Sequence, residues 1–525
     1  MMAPRKKGRV EVDKRLLFIN SSSSVLAKIL SISVLVWIQQ YFLRRISSDE
    51  YALLPLVMSV MAIVPLFTLA LTAGIGRYVT AAYDEDDDGK VTSIVSTIFP
   101  ILLVGSAILA TLGGVTVYFL DQILRIPPHL VGDAKLMLGM LLAVAVVRMP
   151  LAPFGVGFQV TQRFVLYNII DVSTELLRIA LVVALVVGVS PRVLWTVVAE
   201  VSSESLMLLV TRVLSVRMLP SLRFDRRAID WSMARELTSF GAWKLVIRSA
   251  QTVRQSIDPI VLNWLSTAHD LACFHIGTMV VRQLQTIGNN AMQTSLPQLT
   301  ALHVRGDAEG LERSFLRGNR YAMWLTTGIS YPLVVFAHPV IELYAGSKFS
   351  LAAQVMILSL ISIPLRYSSS MTPRLAHATA ELRPYGLRLV VNQLANVGLT
   401  LFFVGPLGLG ALGSIGATLV VATMIQPLQV VPLGIRMSGA TTREWLFESL
   451  FKGLVPCLAA APLLFGLGRL VEPTSWSRVG LMTACSTVVY LAVVVAVATP
   501  DERADARSAL RAVIERANRL RRKLA

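Results

Sequence analysis

The chain has 525 residues, of which 54% are hydrophobic and only 15% charged, with a mean hydropathy of +0.64. Soluble domains carry about a quarter charged residues, so this composition excludes an ordinary water-soluble enzyme and points to a bilayer. The formal net charge of +17 then belongs to membrane loops rather than to a nucleic-acid partner, because basic residues collect on the cytoplasmic side of membrane proteins.

A transmembrane helix takes about 20 mostly apolar residues, and roughly fourteen such runs succeed one another along the chain. The first, 23–42, follows Arg5, Lys6 and Lys7 with no small-residue cleavage site behind it, so it reads as a span rather than a signal peptide. Runs at 51–73, 95–119, 136–158, 166–189 and 194–216 complete a first group of six. A basic stretch then interrupts the pattern. The runs at 240–265 and 271–296 are the most polar and rest on helical periodicity. Those at 321–343, 351–376, 386–404 and 408–431 complete a second six, and 454–470 and 479–498 follow. The predicted organisation is a cytoplasmic basic tail (1–20), an N-lobe of spans one to six (21–217), a cytoplasmic linker (218–236), a C-lobe of spans seven to twelve (237–435), two extra spans (449–499) and a basic segment (500–525). In this last segment Leu510, Val513, Ile514, Ala517, Leu520 and Leu524 recur at helical spacing among arginines. It reads equally as an amphipathic helix on the inner leaflet and as a solvated tail helix.

With the N-terminus inside, roughly 34 Lys and Arg near span ends fall on the cytoplasmic side and roughly 8 outside, which places both termini in the cytoplasm. The chain also repeats weakly across the linker. Residues 44–56 (RRISSDEYALLPL) resemble 263–276 (NWLSTAHDLACFHI), and each is followed by one span and an acidic, glycine-containing loop, at 84–90 and 306–309. Such internal repetition suits a two-lobed transporter.

Ionisable residues inside a bilayer cost at least about 2.5–3.5 kcal/mol each, so those within the runs mark candidate sites. In the seventh run Lys244, Arg248, Gln251, Gln255 and Asp258 step by four, three, four and three, which confines them to an arc of about 80° on one helix face, with Arg254 at its border. The eighth run repeats the device with His275, Thr278, Arg282, Gln285, Asn289 and Gln293. Two successive polar stripes predict a hydrated cavity, cationic because Lys244, Arg248, Arg254 and Arg282 outweigh Asp258. Lys28 lies in the first run and Arg148 in the fourth. The fifth carries Asp171, Glu175 and Arg178, and the sixth Glu200 and Glu204. A cationic cavity suits a phosphate-bearing anion, since arginine offers paired donors. Asp258, Asp171, Glu175 and Glu204 are candidates for a coupling H+ or Na+. The bland alternatives are ion pairing along and between helices for the acids, and snorkelling for Lys244.

Cys273, Cys457 and Cys485 stand at unrelated spacing inside runs and make neither a metal nor a redox pattern. No phosphate-binding glycine-rich loop, metal-ligand cluster or nucleophile elbow is present, and the longest outer loop, 121–135, is too short for a catalytic domain. No cofactor and no enzymatic activity are expected.

The stretch from Ser256-Ile257-Asp258-Pro259 through Phe274, the run Leu296-Pro297-Gln298-Leu299 with Gly306-Asp307 and then Phe315 to Arg320, and the stretches 336–346 and 349–353 resemble the multidrug/oligosaccharidyl-lipid/polysaccharide exporter superfamily. Within it they are most similar to the polysaccharide biosynthesis proteins of the Wzx-type O-antigen flippases. The resemblance in layout covers almost the whole chain. It implies an all-α polytopic fold of about 14 spans, with two pseudo-symmetric six-helix lobes around a central cavity plus two C-terminal helices. It implies a flippase that carries a polyprenyl-diphosphate-linked oligosaccharide across the bacterial plasma membrane by alternating access, working with membrane lipids and other polysaccharide-assembly proteins. The family's cavity cations fall in spans one, two, seven and eight, which Lys28, Arg248, Arg254 and Arg282 match in three; in the second span only Arg77, at its inner end, is basic. Within the same fold the alternatives are a lipid II flippase, whose arginine-rich first span is missing here, and a cation-coupled drug antiporter. A membrane sugar polymerase is the distant one.

Overall fold

The computed structural model describes Val34 and residues 37–504, apart from 73–74, 162, 233–241, 294 and 501. Among these residues there is no strand. The principal helices are α1 (Ser48–Met61), α2 (Asp88–Tyr118), α3 (Val131–Leu151), α4 (Phe164–Gly188), α5 (Leu194–Met218), α6 (Ala242–Leu265), α7 (Ala268–Gln293), α8 (Ala308–Val335), α9 (Leu351–Ile361), α10 (Ile363–Tyr367), α11 (Thr372–Ala378), α12 (Leu382–Val404), α13 (Gly410–Val420), α14 (Gln426–Ser438), α15 (Lys452–Leu470) and α16 (Trp476–Val497). Among the described residues eight helical segments are long and apolar enough to cross a membrane, or nine if α8 and the Ala337–Ala345 helix, bent by 77°, count as one. The helices α4, α5, α6 and α7 are of similar length, 24 to 26 residues, but carry the ionisable residues and are not among the eight. The first predicted run, 23–42, lies mostly outside the described residues.

The weak repeat reappears as helix capping. Ser47 accepts a hydrogen bond from the Glu50 amide (3.2 Å) and Asp87 from that of Lys90 (2.8 Å). Thr267 accepts from Asp270 (3.0 Å) and Asp307 from Gly310 (2.8 Å). The two caps are 40 residues apart in each half, 47 to 87 and 267 to 307. Short oxygen-bearing side chains do this because the first turn of a helix has amides without intrahelical acceptors. Gly306 closes the preceding helix at φ 70°, a left-handed conformation that glycine adopts without strain.

The chain divides into two compact units. The first holds residues up to His275 together with Leu389–Ser414, and the second holds Ile276–Arg388 and the chain from Ile415 onward. The first unit's core joins Val91, Ile94, Val95, Ile98 and Leu102 of α2 to Met149, Phe154 and Leu219. In the second, α15 and α16 pack on α8 through Tyr331, Ala460, Leu464, Met482 and Tyr490. The Tyr331 and Tyr490 rings stack at 5.4 Å. Their hydroxyls meet Ser486 (3.0 Å) and Thr327 (2.9 Å), and Tyr490 donates to the Trp324 carbonyl at 2.7 Å. These bonds give the polar tips of buried rings their partners.

Candidate substrate and coupling sites

In the first unit α6 is polar along its length. Arg248 is exposed and Gln251 half-buried, while Thr252, Ser256 and Asp258 are buried. The side chains of Lys244, Arg254 and Gln255 lie outside what is described, as does Lys28 altogether. Asp258 is 6% exposed, and one carboxylate oxygen accepts from the Thr400 hydroxyl at 3.3 Å. Thr400 belongs to a buried polar row on α12, where Asn392, Asn396 and Thr400 recur every four residues beside Gln393. The Asn392 Oδ1 and Gln393 Nε2 atoms are buried without a hydrogen-bond partner. At the C-terminal end of α6, Asn263 accepts from the Arg125 amide (2.8 Å) and donates to its carbonyl (2.9 Å), and Trp264 donates to the Ile123 carbonyl (2.7 Å). This clasp ties the 121–135 loop to α6.

The acids of α4 and α5 are mostly in ion pairs. Arg178 donates to both Glu175 oxygens (2.9 and 2.5 Å) and to Glu200 on α5 (3.1 Å). Arg148 of α3 pairs with Glu204. Of the candidate coupling acids, Glu175 and Glu204 therefore have cationic partners. Asp171 is exposed and makes no ion pair among the described residues. Inside a bilayer such pairing lowers the cost of both charges.

In α7, His275 meets the Tyr51 ring edge-on at 5.8 Å. The remainder of the stripe belongs to the second unit. Thr278 is buried and accepts from the Arg282 guanidinium at 2.6 Å, which orients a side chain that is itself exposed. Asn289 is exposed and accepts from Arg374. Arg374 was absent from the sequence-derived candidates although it lies within the predicted run 351–376. The rule that singled out Arg282, an ionisable residue inside an apolar run, applies to it equally. Arg320 sat at the edge of a basic loop in the sequence, and the structure buries it.

A family model described as "Polysaccharide biosynthesis protein" matches residues 43–354. A membrane protein of Bacillus subtilis (strain 168), EpsK, whose description calls it uncharacterized, is 21% identical over 463 residues, 86% of this chain and 89% of its own. Among solved structures, the lipid II flippase MurJ in an inward closed conformation superposes with a TM-score of 0.66 at 12% identity, over 90% of this chain and 98% of that one. An inward-facing multidrug resistance MATE family transporter of the MOP superfamily gives 0.61 at 14% identity, over 77% and 93%. At these identities the likeness to solved structures is one of fold: an all-helical, multi-pass membrane protein.

Proposed function

Because the match over residues 43–354 makes the chain a member of the polysaccharide biosynthesis protein family, we propose that it is a flippase that carries a polyprenyl-diphosphate-linked oligosaccharide across the bacterial plasma membrane by alternating access, with both termini cytoplasmic. The observation that carries this reading is the pair of polar faces on α6 and α7, each with an exposed arginine, Arg248 and Arg282, inside helices of span length. A lipid-facing helix would not keep such a face, so the faces border water, and a guanidinium there attracts phosphate. Arg248, Arg254, Arg282 and Lys28 are the proposed diphosphate contacts, with Gln251, Gln255 and Asn289 as polar lining. The polyprenyl tail stays in lipid. Coupling is assigned to H+ or Na+ at Asp258, where a buried carboxylate faces a hydroxyl. Transport of this kind makes and breaks no covalent bond, so no cofactor enters. Other assembly proteins of the same polysaccharide are the expected partners.

The test is a flip assay in proteoliposomes with a fluorescent undecaprenyl-diphosphate oligosaccharide, wild type beside Arg282→Ala. Loss of one charge-assisted contact worth about 1.5–3 kcal/mol should slow flipping at least about tenfold. Equal rates would remove Arg282 from the site. No flipping but ion-driven dye efflux from the same vesicles would favour a drug antiporter.

A further inference from the structure

Arg374 on α11 is a further candidate anion ligand, and it is built differently from the exposed arginines Arg248 and Arg282. Its side chain is buried, at 9% exposure. One Nη1 proton goes to the Ser370 carbonyl at 2.8 Å, and Nη2 donates to the Asn289 carbonyl (3.2 Å) and Oδ1 (3.1 Å). All three acceptors are neutral, and no carboxylate among the described residues pairs with it. A guanidinium carries five N–H donors, so Nε–H and one Nη1–H remain uncommitted. A buried cation without an anion is costly, whereas one whose geometry is locked and whose remaining donors face an anion is a receiving site.

The surroundings lock that geometry. Within the span Leu351–Ala378 the regular α-helix is interrupted between α10 and α11 at Ser368, Ser369 and Ser370, all buried, where the Ser370 and Thr372 amides bond carbonyls three residues back. A tightened turn inside an otherwise α-helical segment often marks a functional position. Here the break is held by Asn319 of α8, whose Oδ1 accepts from the Met371 amide (2.9 Å) and the Ser370 hydroxyl (3.3 Å), and by Trp445, which donates to the Ser368 carbonyl (2.8 Å). Tyr367 lies against α7 where Gly288 has no side chain. A Cβ at Gly288 would sit 2.6 to 2.9 Å from the Tyr367 ring and hydroxyl, so the glycine next to Asn289 is what lets the break approach α7. Two polar atoms at the break, Asn319 Nδ2 and Thr372 Oγ1, are buried with no hydrogen-bond partner. Asn289, the acceptor that presents Arg374, is exposed.

We propose that Arg374, presented by Asn289 and the Ser368–Ser370 break, is a further ligand for the diphosphate of the lipid-linked substrate, at a position whose own residues all belong to the second unit; this rests on the flippase reading above. The test is binding of inorganic pyrophosphate to the purified full chain, read as a rise in its thermal midpoint, since a ligand that binds only the folded state stabilises it. In nanodiscs of phosphatidylcholine the wild type should be protected, and the apparent affinity of Arg374→Gln should be at least tenfold weaker. Unchanged protection of Arg374→Gln would overturn the site. If Arg374→Gln does not stay folded without ligand, Arg374→Lys decides. It keeps the charge but not the planar fork, so several-fold weaker binding supports the site and unchanged binding overturns it. If phosphatidylglycerol in the nanodisc abolishes the pyrophosphate effect, the occupant is a bilayer phospholipid headgroup and the substrate assignment is overturned. Binding needs no transport. A wild type that binds pyrophosphate through Arg374 without flipping would support the site and overturn the flippase reading. Normal flipping and normal binding by Arg374→Gln would do the reverse.

Discussion

Among single residues Arg320 shows how far burial can change the meaning of a charge. In the sequence it ends a run of arginines between two apolar stretches. In the structure it is 2% exposed and donates to the Glu448 carbonyl (2.6 Å) and carboxylate (3.1 Å), and to Glu502, whose side chain is 1% exposed. Glu502 also accepts from the Thr499 amide at 2.8 Å, so one guanidinium binds α8, the turn before α15 and the residues after α16 together. Removing one partner of a buried pair leaves the other charge uncompensated, at about 3–5 kcal/mol. Arg320→Ala should therefore lower the unfolding free energy in detergent by that order. A thermal midpoint close to wild type would show that the cluster adds nothing to stability. Nothing local distinguishes Arg320 from Arg313 or Arg317, because what separates them is a partner 182 residues away for Arg320.

At the scale of elements, capping and breaks set where helices begin and how they approach each other. The sequence repeat at 44–56 and 263–276 was faint in side-chain identity, yet its start signals, Ser47 with Asp87 and Thr267 with Asp307, keep the same 40-residue spacing. Such signals survive divergence because a free first-turn amide needs an oxygen whatever the packing. Asp307→Ala should cost about 1 kcal/mol, and Asp307→Ser much less, measured as the midpoint of unfolding; equal losses for both would mean that the cap is not what Asp307 contributes. The break at Ser368–Ser370 was not expected from the run 351–376. Three serines in an apolar run hydrogen-bond their own helix as readily as they end it, and the outcome depends on Asn319 and Trp445, which come from elsewhere in the chain.

For the whole molecule the question is what drives transport. Arg178 and Arg148 hold Glu175, Glu200 and Glu204 in ion pairs, while Asp258 is buried and accepts from the Thr400 hydroxyl. Our proposal places the coupling ion at Asp258. Asp258→Asn should make flipping insensitive to an imposed ion gradient while pyrophosphate binding persists. Gradient dependence equal to wild type in the Asn variant would move coupling to Asp171 or away from both.

Membrane residence, helical class, the polar stripes of α6 and α7 and the family were all readable from the linear chain, because they depend on composition and on periods of a few residues. Hydropathy sums over about 20 neighbours, and a helix face is set by 100° per residue. The same reading left Glu175 and Glu204 open between ion coupling and ion pairing, and did not single out Arg374 or Arg320. Which charge is neutralised, which is buried among neutral acceptors, and where a span breaks were decided by tertiary structure. Each depends on a partner brought from a distant part of the sequence, and the energy of a buried charge is set by that partner rather than by its neighbours along the chain.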